Sequence, residues 1–268
     1  MAADATSTLP LAAARRRVSV RPALSRTGLY ALVVLLAIVF TLPSYWTLVG
    51  SIKKIDEILI VPPVWWPAQP QWNNYTRVFE VAPYGTFFLN TVVIAVSATV
   101  GQVLSAALVG YGFARFRFPG RDALFLLMLS TLMLPPELTM VPQFLLYKGL
   151  GWLDTWLPLI VPFYFGGGAF FIFLFRQFFL TIPLDPDEAA RIDGANPFRV
   201  LWSILAPLSL PAWAAATIIS FLGHWNDFIG PLIYLNTLEK YTLSLGLAFF
   251  RTGGVGSIPT GEPRDHLL

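Results

Sequence analysis

The residues of this chain that could do chemistry are few, and they gather in one short passage. Asp185, Asp187 and Glu188 fall within four positions, Arg191 and Asp193 follow, and Gly194 closes the run "DPDEAARIDG". Elsewhere, polar groups stand alone in apolar surroundings: Glu137 in "MLPPELTMVPQF", and Asn226 with Asp227 in "HWNDF". Carboxylates so placed can move protons, bind cations or recognise a partner, and the accompanying residues narrow the choice. No GxxxxGK[ST] phosphate loop occurs, because the chain contains no Gly-Lys pair. The two histidines, His224 and His266, have neither HExxH nor paired spacing, which argues against a metal site. There is no G-x-S-x-G and no Ser–His–Asp set. With no Cys, thiolate chemistry, disulfides and cysteine-ligated metals are excluded. The expectation is a chain without catalytic residues, metal or cofactor, whose polar groups recognise other molecules.

The acidic passage must be held by local structure, and its punctuation specifies one. Asp185-Pro186 reads as a helix N-cap and first helical residue, since Pro has no N–H to leave unpaired there. Glu188 then falls at the third helical position, completing a capping box and complementing the positive helix end. Ala189, Ala190, Arg191 and Ile192 extend the helix, and Gly194 closes it. Asn196-Pro197 starts a second helix, "FRVLWSILAP", running toward Pro207. The expected product over 184–211 is helix, turn, helix. A helix lying on lipid should carry Lys and Arg opposite large apolar residues. Acidic groups, small alanines and a single Arg191 suit a protein cleft better than anionic lipid.

The remaining sequence is apolar. Hydrophobic residues make up 56% of the 268 and charged residues 12%, about half the share of a soluble domain. Five runs are long enough to span a bilayer, at roughly 27–49, 85–112, 122–147, 157–181 and 206–235. The fold class is therefore all-α and integral to the membrane. No basic face of the kind nucleic acid requires is visible. Arginines precede the first run, but it is longer than a signal-peptide core and lacks a cleavage site, so it reads as an uncleaved span. Lys and Arg alternate across the connecting segments: eleven lie in the tail 1–26, in 113–121 and in 176–199, against six on the other side, Arg264 apart. That bias places the N-terminus and the acidic passage in the cytoplasm.

Several spans are irregular. Pro135, Pro136 and Pro142 must kink or break the third, and Glu137 lies between them, either functional or hydrated near the outer interface. Gly166, Gly167 and Gly168 either loosen the fourth or let another helix approach closely. Broken backbone at membrane depth is tolerated where it is buried in protein or lines a cavity, so these spans suggest a cavity-forming bundle. Between the first two spans, "VPPVWWPAQPQWNNY" reads as extended or turn-rich, with Trp65, Trp66 and Trp72 as interfacial anchors.

The acidic passage also carries a resemblance. Glu188-Ala189-Ala190, Asp193-Gly194-Ala195, Ile204, Pro207 and Pro211 resemble the EAA loop of binding-protein-dependent ABC importer permeases. "NTVVIAVSATVGQVLSAALVGYGFARFRFPGR", "GLGWLDTWLPLIVP" and "FLGHWNDFIGPL" are similar to segments of the carbohydrate-uptake branch, that of the smaller maltose-type permease. The resemblance covers about residues 28–250. It implies a transmembrane domain over 27–250 that works with a second permease, two ATP-binding cassette subunits and an extracytoplasmic solute-binding protein in the bacterial cytoplasmic membrane. ATP and Mg would be bound and hydrolysed by the partner ATPase, which would receive the loop through Glu188, Ala189, Ala190, Arg191, Asp193 and Gly194. Glu137, Asn226 and Asp227 are candidates for the translocation path. The solute is expected to be a sugar or oligosaccharide, with glycerol phosphate, polyamine and phosphate as alternatives. A non-transporting membrane scaffold or a membrane enzyme is the reading from another class. The family has a sixth span, whereas 251–268 is polar and too short to cross, so that span is expected to be missing.

Overall fold

Proline and glycine divide the apolar sequence into helices that are shorter and more sharply bent than the hydropathy suggests. The computed structural model describes residues 26–58 and 60–251, and all regular structure among them is helical. Three helical stretches are long and apolar enough to cross a membrane: Gly28–Ser51, Tyr84–Arg115 and Leu157–Thr181. Counting each of two bent pairs as one span raises the number to five. The expected missing sixth span concerns residues beyond 251 and lies outside the described residues.

The chain forms two compact units, divided after Tyr75. The first contains helix α1 (Arg26–Ser51), whose apolar side chains are almost all exposed, as a lipid-facing span requires. Its loop is more ordered than an extended reading implies. The Tyr45 hydroxyl donates to the Trp65 carbonyl at 2.9 Å, and Gln71 N–H donates to the Ile52 carbonyl at 2.8 Å. Lys53 is buried, with its ammonium 3.9 Å from the Trp46 ring centroid, and it donates to the Val64 carbonyl. Trp65 packs edge-on against Trp46, and Trp65, Trp66 and Trp72 are all exposed.

In the second unit, α2 (Tyr84–Arg115) is the central element. Its buried side is mostly small: Ala95, Ala98, Ala106, Ala107, Gly110 and Ala114. Small residues let backbones approach, and α5 (Ala169–Thr181) and α8 (Leu210–Trp225) pack directly on it. A Cβ on Gly110 would lie 2.9 Å from the Phe175 Cβ and 3.1 Å from the Ile172 carbonyl oxygen.

The expected third and fifth spans are not continuous. Residues 122–147 fall in α3 (Arg121–Met133) and α4 (Pro136–Gly149), bent by 99°. Pro135 is extended at ψ 135°, and Pro136 opens α4 where its missing N–H costs nothing. Pro142, by contrast, is absorbed inside α4. Residues 206–235 divide into the end of α7 (Pro197–Leu208), then α8, then the short helix Ile229–Tyr234; α7 and α8 meet at 86°. Pro207 has no N–H, and just before it residues Leu201–Leu205 widen into a π-helix, with Ala206 N–H reaching the Leu201 carbonyl. In the fourth span both expectations for the glycines apply. Gly166, Gly167 and Gly168 all have positive φ and interrupt the helix, and a Cβ on Gly167 would stand 2.5 Å from the Gln102 carbonyl oxygen.

The core has two parts. One joins Val103, Ala107, Tyr111, Phe175, Phe179, Leu201 and Leu205 near the Arg115 end of α2. The other joins Phe87, Ile94, Tyr147, Leu159, Tyr234 and Leu245, the last from helix Leu243–Arg251.

Candidate functional site

The acidic passage folds as helix α6 (Asp185–Ile192), a glycine turn and the start of α7. Its start differs from the sequence reading. The cap position falls on Leu184, whose carbonyl accepts the N–H groups of Asp187 at 2.9 Å and Glu188 at 3.0 Å, and no side chain caps the helix. Leu184 is itself near helical at φ −82°, ψ −19°, so Asp185 lies inside the first turn and the capping box does not close. Three acidic groups in that turn still complement the helix dipole. The end matches the expectation. Gly194 takes φ +79°, its N–H reaches the Arg191 carbonyl at 3.0 Å, and Ala195 N–H reaches the Ala190 carbonyl at 2.9 Å. Those paired bonds form a Schellman closure, which needs a left-handed residue and hence favours glycine. Asn196 then caps α7, its side-chain oxygen accepting Arg199 N–H at 2.8 Å.

Two faces of α6 do different work. Asp187 points inward and pairs with Arg115 at the end of α2, Nε to Oδ2 2.8 Å, the side chains 2% and 3% exposed respectively. Arg115 also donates to the Ile182 carbonyl at 2.9 Å, so it ties α6 and the end of α5 to α2. Burial pushes the Asp187 carboxyl above the usual carboxylate range, and Arg115 and then Arg191 oppose that shift. Ala190 and Ala195 pack against the core. On the outer face, Glu188, Ala189, Arg191, Asp193 and Gly194 are exposed. Ile192 is 87% exposed and Phe198 65%, which gives the passage an apolar tip rimmed by charge. Sequence alone treated Arg115 as one of several loop arginines and Asp187 as surface.

Of the path candidates, the structure unites two. Glu137, in the first turn of α4, and Asp227 line one cavity of about 470 Å³ together with Tyr147, Phe163, Ile233 and Tyr234. Asp227 accepts Gly230 N–H at 3.2 Å, fastening the start of helix Ile229–Tyr234. A Cβ on Gly230 would fall 2.5 Å from the Asp227 carboxylate, so a side chain there would displace that carboxylate. Asn226 is not among the residues lining the cavity; it is exposed, and its amide donates back to the Leu222 carbonyl at 2.8 Å.

Two polar groupings escaped the sequence. Between the cores, the Gln102 side-chain oxygen accepts from the Ser220 hydroxyl at 2.6 Å and from His224 Nε2 at 3.0 Å, joining α2 to α8 beside the glycine break. Their separation of 118 and 122 positions left no local signal. The second is Asp154, at φ +57°, whose carboxylate accepts from Lys240 at 2.8 Å and from the Asn236 and Thr237 N–H groups at 2.9 Å. Burial raises its pKa, but hydrogen bonds from Lys240, Thr237 and Asn236 outweigh that and hold it well below the ordinary range.

Comparison with known proteins agrees with this architecture. Residues 103–253 match the family described as binding-protein-dependent transport system inner membrane component. The diacetylchitobiose uptake system permease protein NgcG of Streptomyces coelicolor is 34% identical over 235 residues, covering 87% of this chain and 76% of the relative. The arabinooligosaccharides transport system permease protein AraQ of Bacillus subtilis is 34% identical over 251 residues, covering 91% and 85%. The sn-glycerol-3-phosphate transport system permease protein UgpE of Rhizobium meliloti is 37% identical over 218 residues, covering 78% and 76%. A crystal structure of a bacterial ABC transporter that imports the acidic polysaccharide alginate superposes with TM-score 0.72 at 27% identity, covering 87% of this chain and 83% of that one. The helical fold is thus shared with that importer. The chain belongs to the family of binding-protein-dependent transport system inner membrane components, and it is a multi-pass inner-membrane permease subunit of an ABC importer rather than an enzyme.

Proposed function

We propose that this chain carries a sugar or oligosaccharide inward as one of two permease subunits. Two ATP-binding cassette subunits would drive it, and an extracytoplasmic binding protein would deliver the solute. Residues 27–250 form its transmembrane domain, the N-terminus is cytoplasmic, and 184–211 is the helix-turn-helix loop that couples to an ATPase. One observation carries this reading: α6 is fastened on its inner face by the Arg115–Asp187 pair, while Glu188, Ala189, Asp193 and Gly194 are exposed with Ile192 and Phe198, and Arg191 is exposed while also interacting with Asp187 and Tyr111. A helix anchored on one side and open on the other can transmit a push without flexing, and an apolar tip rimmed by charge suits a protein cleft. ATP and Mg are bound by the partner ATPase.

The solute class is supported by the uptake systems named for the Streptomyces and Bacillus relatives. A second reading, glycerol phosphate, is supported by the Rhizobium relative. Glu137 and Asp227 are proposed to line the path, and Asn226 to stand at its edge. Reversing Glu188 to Lys tests the docking. The expected result is loss of most ATPase co-purification and of hydrolysis stimulated by the binding protein; unchanged values would refute the assignment.

A further inference from the structure

The cavity shared by Glu137 and Asp227 has a feature beyond its carboxyl groups. Tyr147 of α4 and Tyr234 line it, each more than nine-tenths buried, with rings 5.3 Å apart at 77°. Neither hydroxyl makes a hydrogen bond with another of the described residues, and neither oxygen is itself fully buried, so both remain accessible from the cavity. Two phenols free to donate or accept thus face the same space as two carboxyl groups and the Gln143 amide. Phe163, Met140 and three prolines supply apolar wall. A volume of about 470 Å³ is within the usual range for small-molecule sites, about 300–1,000 Å³. Among the described residues, no Lys, Arg or His lines it.

That combination selects by chemistry. A polyol offers many hydroxyls for the carboxyl, phenol and amide groups, and C–H faces for the aromatic wall. A phosphate or uronate would be stripped of water with no counter-charge while facing two acidic groups. We propose that this cavity is a solute-selecting site contributed by this chain, which admits a neutral polyhydroxylated unit and turns away anionic solutes. The proposal rests on the saccharide-import reading above and separates it from the glycerol phosphate alternative.

The absence of Cys gives a direct test. Gln143→Cys is introduced in the full importer, reconstituted with cysteine-free partners, and labelled with cationic, neutral and anionic methanethiosulfonate reagents. Thr139→Cys is a second reporter if the first fails to assemble. The cationic and neutral reagents are expected to react about tenfold or more faster than the anionic one, the bias that a cleft of one charge sign produces. Glu137→Gln with Asp227→Asn should remove that bias. Diacetylchitobiose or an arabinooligosaccharide should slow labelling, and sn-glycerol 3-phosphate should not. Equal rates for the three reagents, protection by sn-glycerol 3-phosphate, or protection by no saccharide overturns the proposal. ATPase co-purification and hydrolysis are read in the same samples: their loss in the Glu188→Lys importer bears on docking, and a labelling failure where both are intact bears on the cavity alone.

Discussion

Replacing Arg115 by Ala should release α6 from the bundle. Both members of the Arg115–Asp187 pair are nearly inaccessible, so their 2.8 Å contact is set against a large loss of hydration. At an effective dielectric near 20, the pair attraction is about 6 kcal/mol, and desolvation costs several kcal/mol per ion. The pair therefore adds little net stability compared with two apolar residues. Removing one partner is different, because Asp187 is left buried without its counter-charge, so that it must stay ionised at a cost or take up a proton, and the Ile182 carbonyl loses its donor. The expected loss is about 3–5 kcal/mol. Arg191 lies exposed in α6 and offers a tryptic site that a packed helix protects. A loss of about 3 kcal/mol in local opening energy should accelerate cleavage after Arg191 by about a hundredfold when opening precedes cleavage. The assay is limited trypsinolysis of the assembled importer in detergent, with fragments followed by mass. Arg115→Met combined with Asp187→Leu should restore protection to within about tenfold, since neither charge is then stranded. If cleavage of Arg115→Ala stays within about threefold of the parent, or the double variant is no better than the single, the pair does not hold α6.

The other expectations are more local. Gly167→Ala should prevent stable assembly, because the new methyl would meet the Gln102 carbonyl oxygen at 2.5 Å and Ala106 at 2.6 Å in a left-handed backbone; yield of monodisperse complex by size-exclusion chromatography checks this. The folded pKa of Asp154 is depressed below its ordinary 3.8, so the stability it contributes is present above about pH 4 and is lost as pH falls from there toward the folded value. Asp154→Ala should cost about 2 kcal/mol at pH 7 and flatten the acid side of the Tm–pH profile, which a thermal series from pH 7 to 3 measures. Asn196→Ala removes the cap of α7 and should cost about 1 kcal/mol, seen as a lower Tm.

What could be read directly from the chain was whatever depends on neighbouring residues. Membrane character follows from composition, since apolar runs of this length have few other stable settings. The turn after α6 follows from Gly194, the start of α7 from Asn196-Pro197, and the break before α4 from Pro135-Pro136, because missing donors and steric limits act within a few positions. Even there, the choice of Leu184 over Asp185 as the first cap turned on one backbone torsion that side-chain identity does not dictate. The tertiary structure decided everything that joins distant segments. It turned Asp187 inward to Arg115, brought Glu137 and Asp227 to one cavity, left Asn226 outside it, and set Gln102 between Ser220 and His224. Such pairings arise from how helices bend at 99° and 86° and which small-residue faces then meet. A hydrophobic pattern marks a helix as buried or lipid-facing, but a residue's partner depends on the packing of the whole bundle.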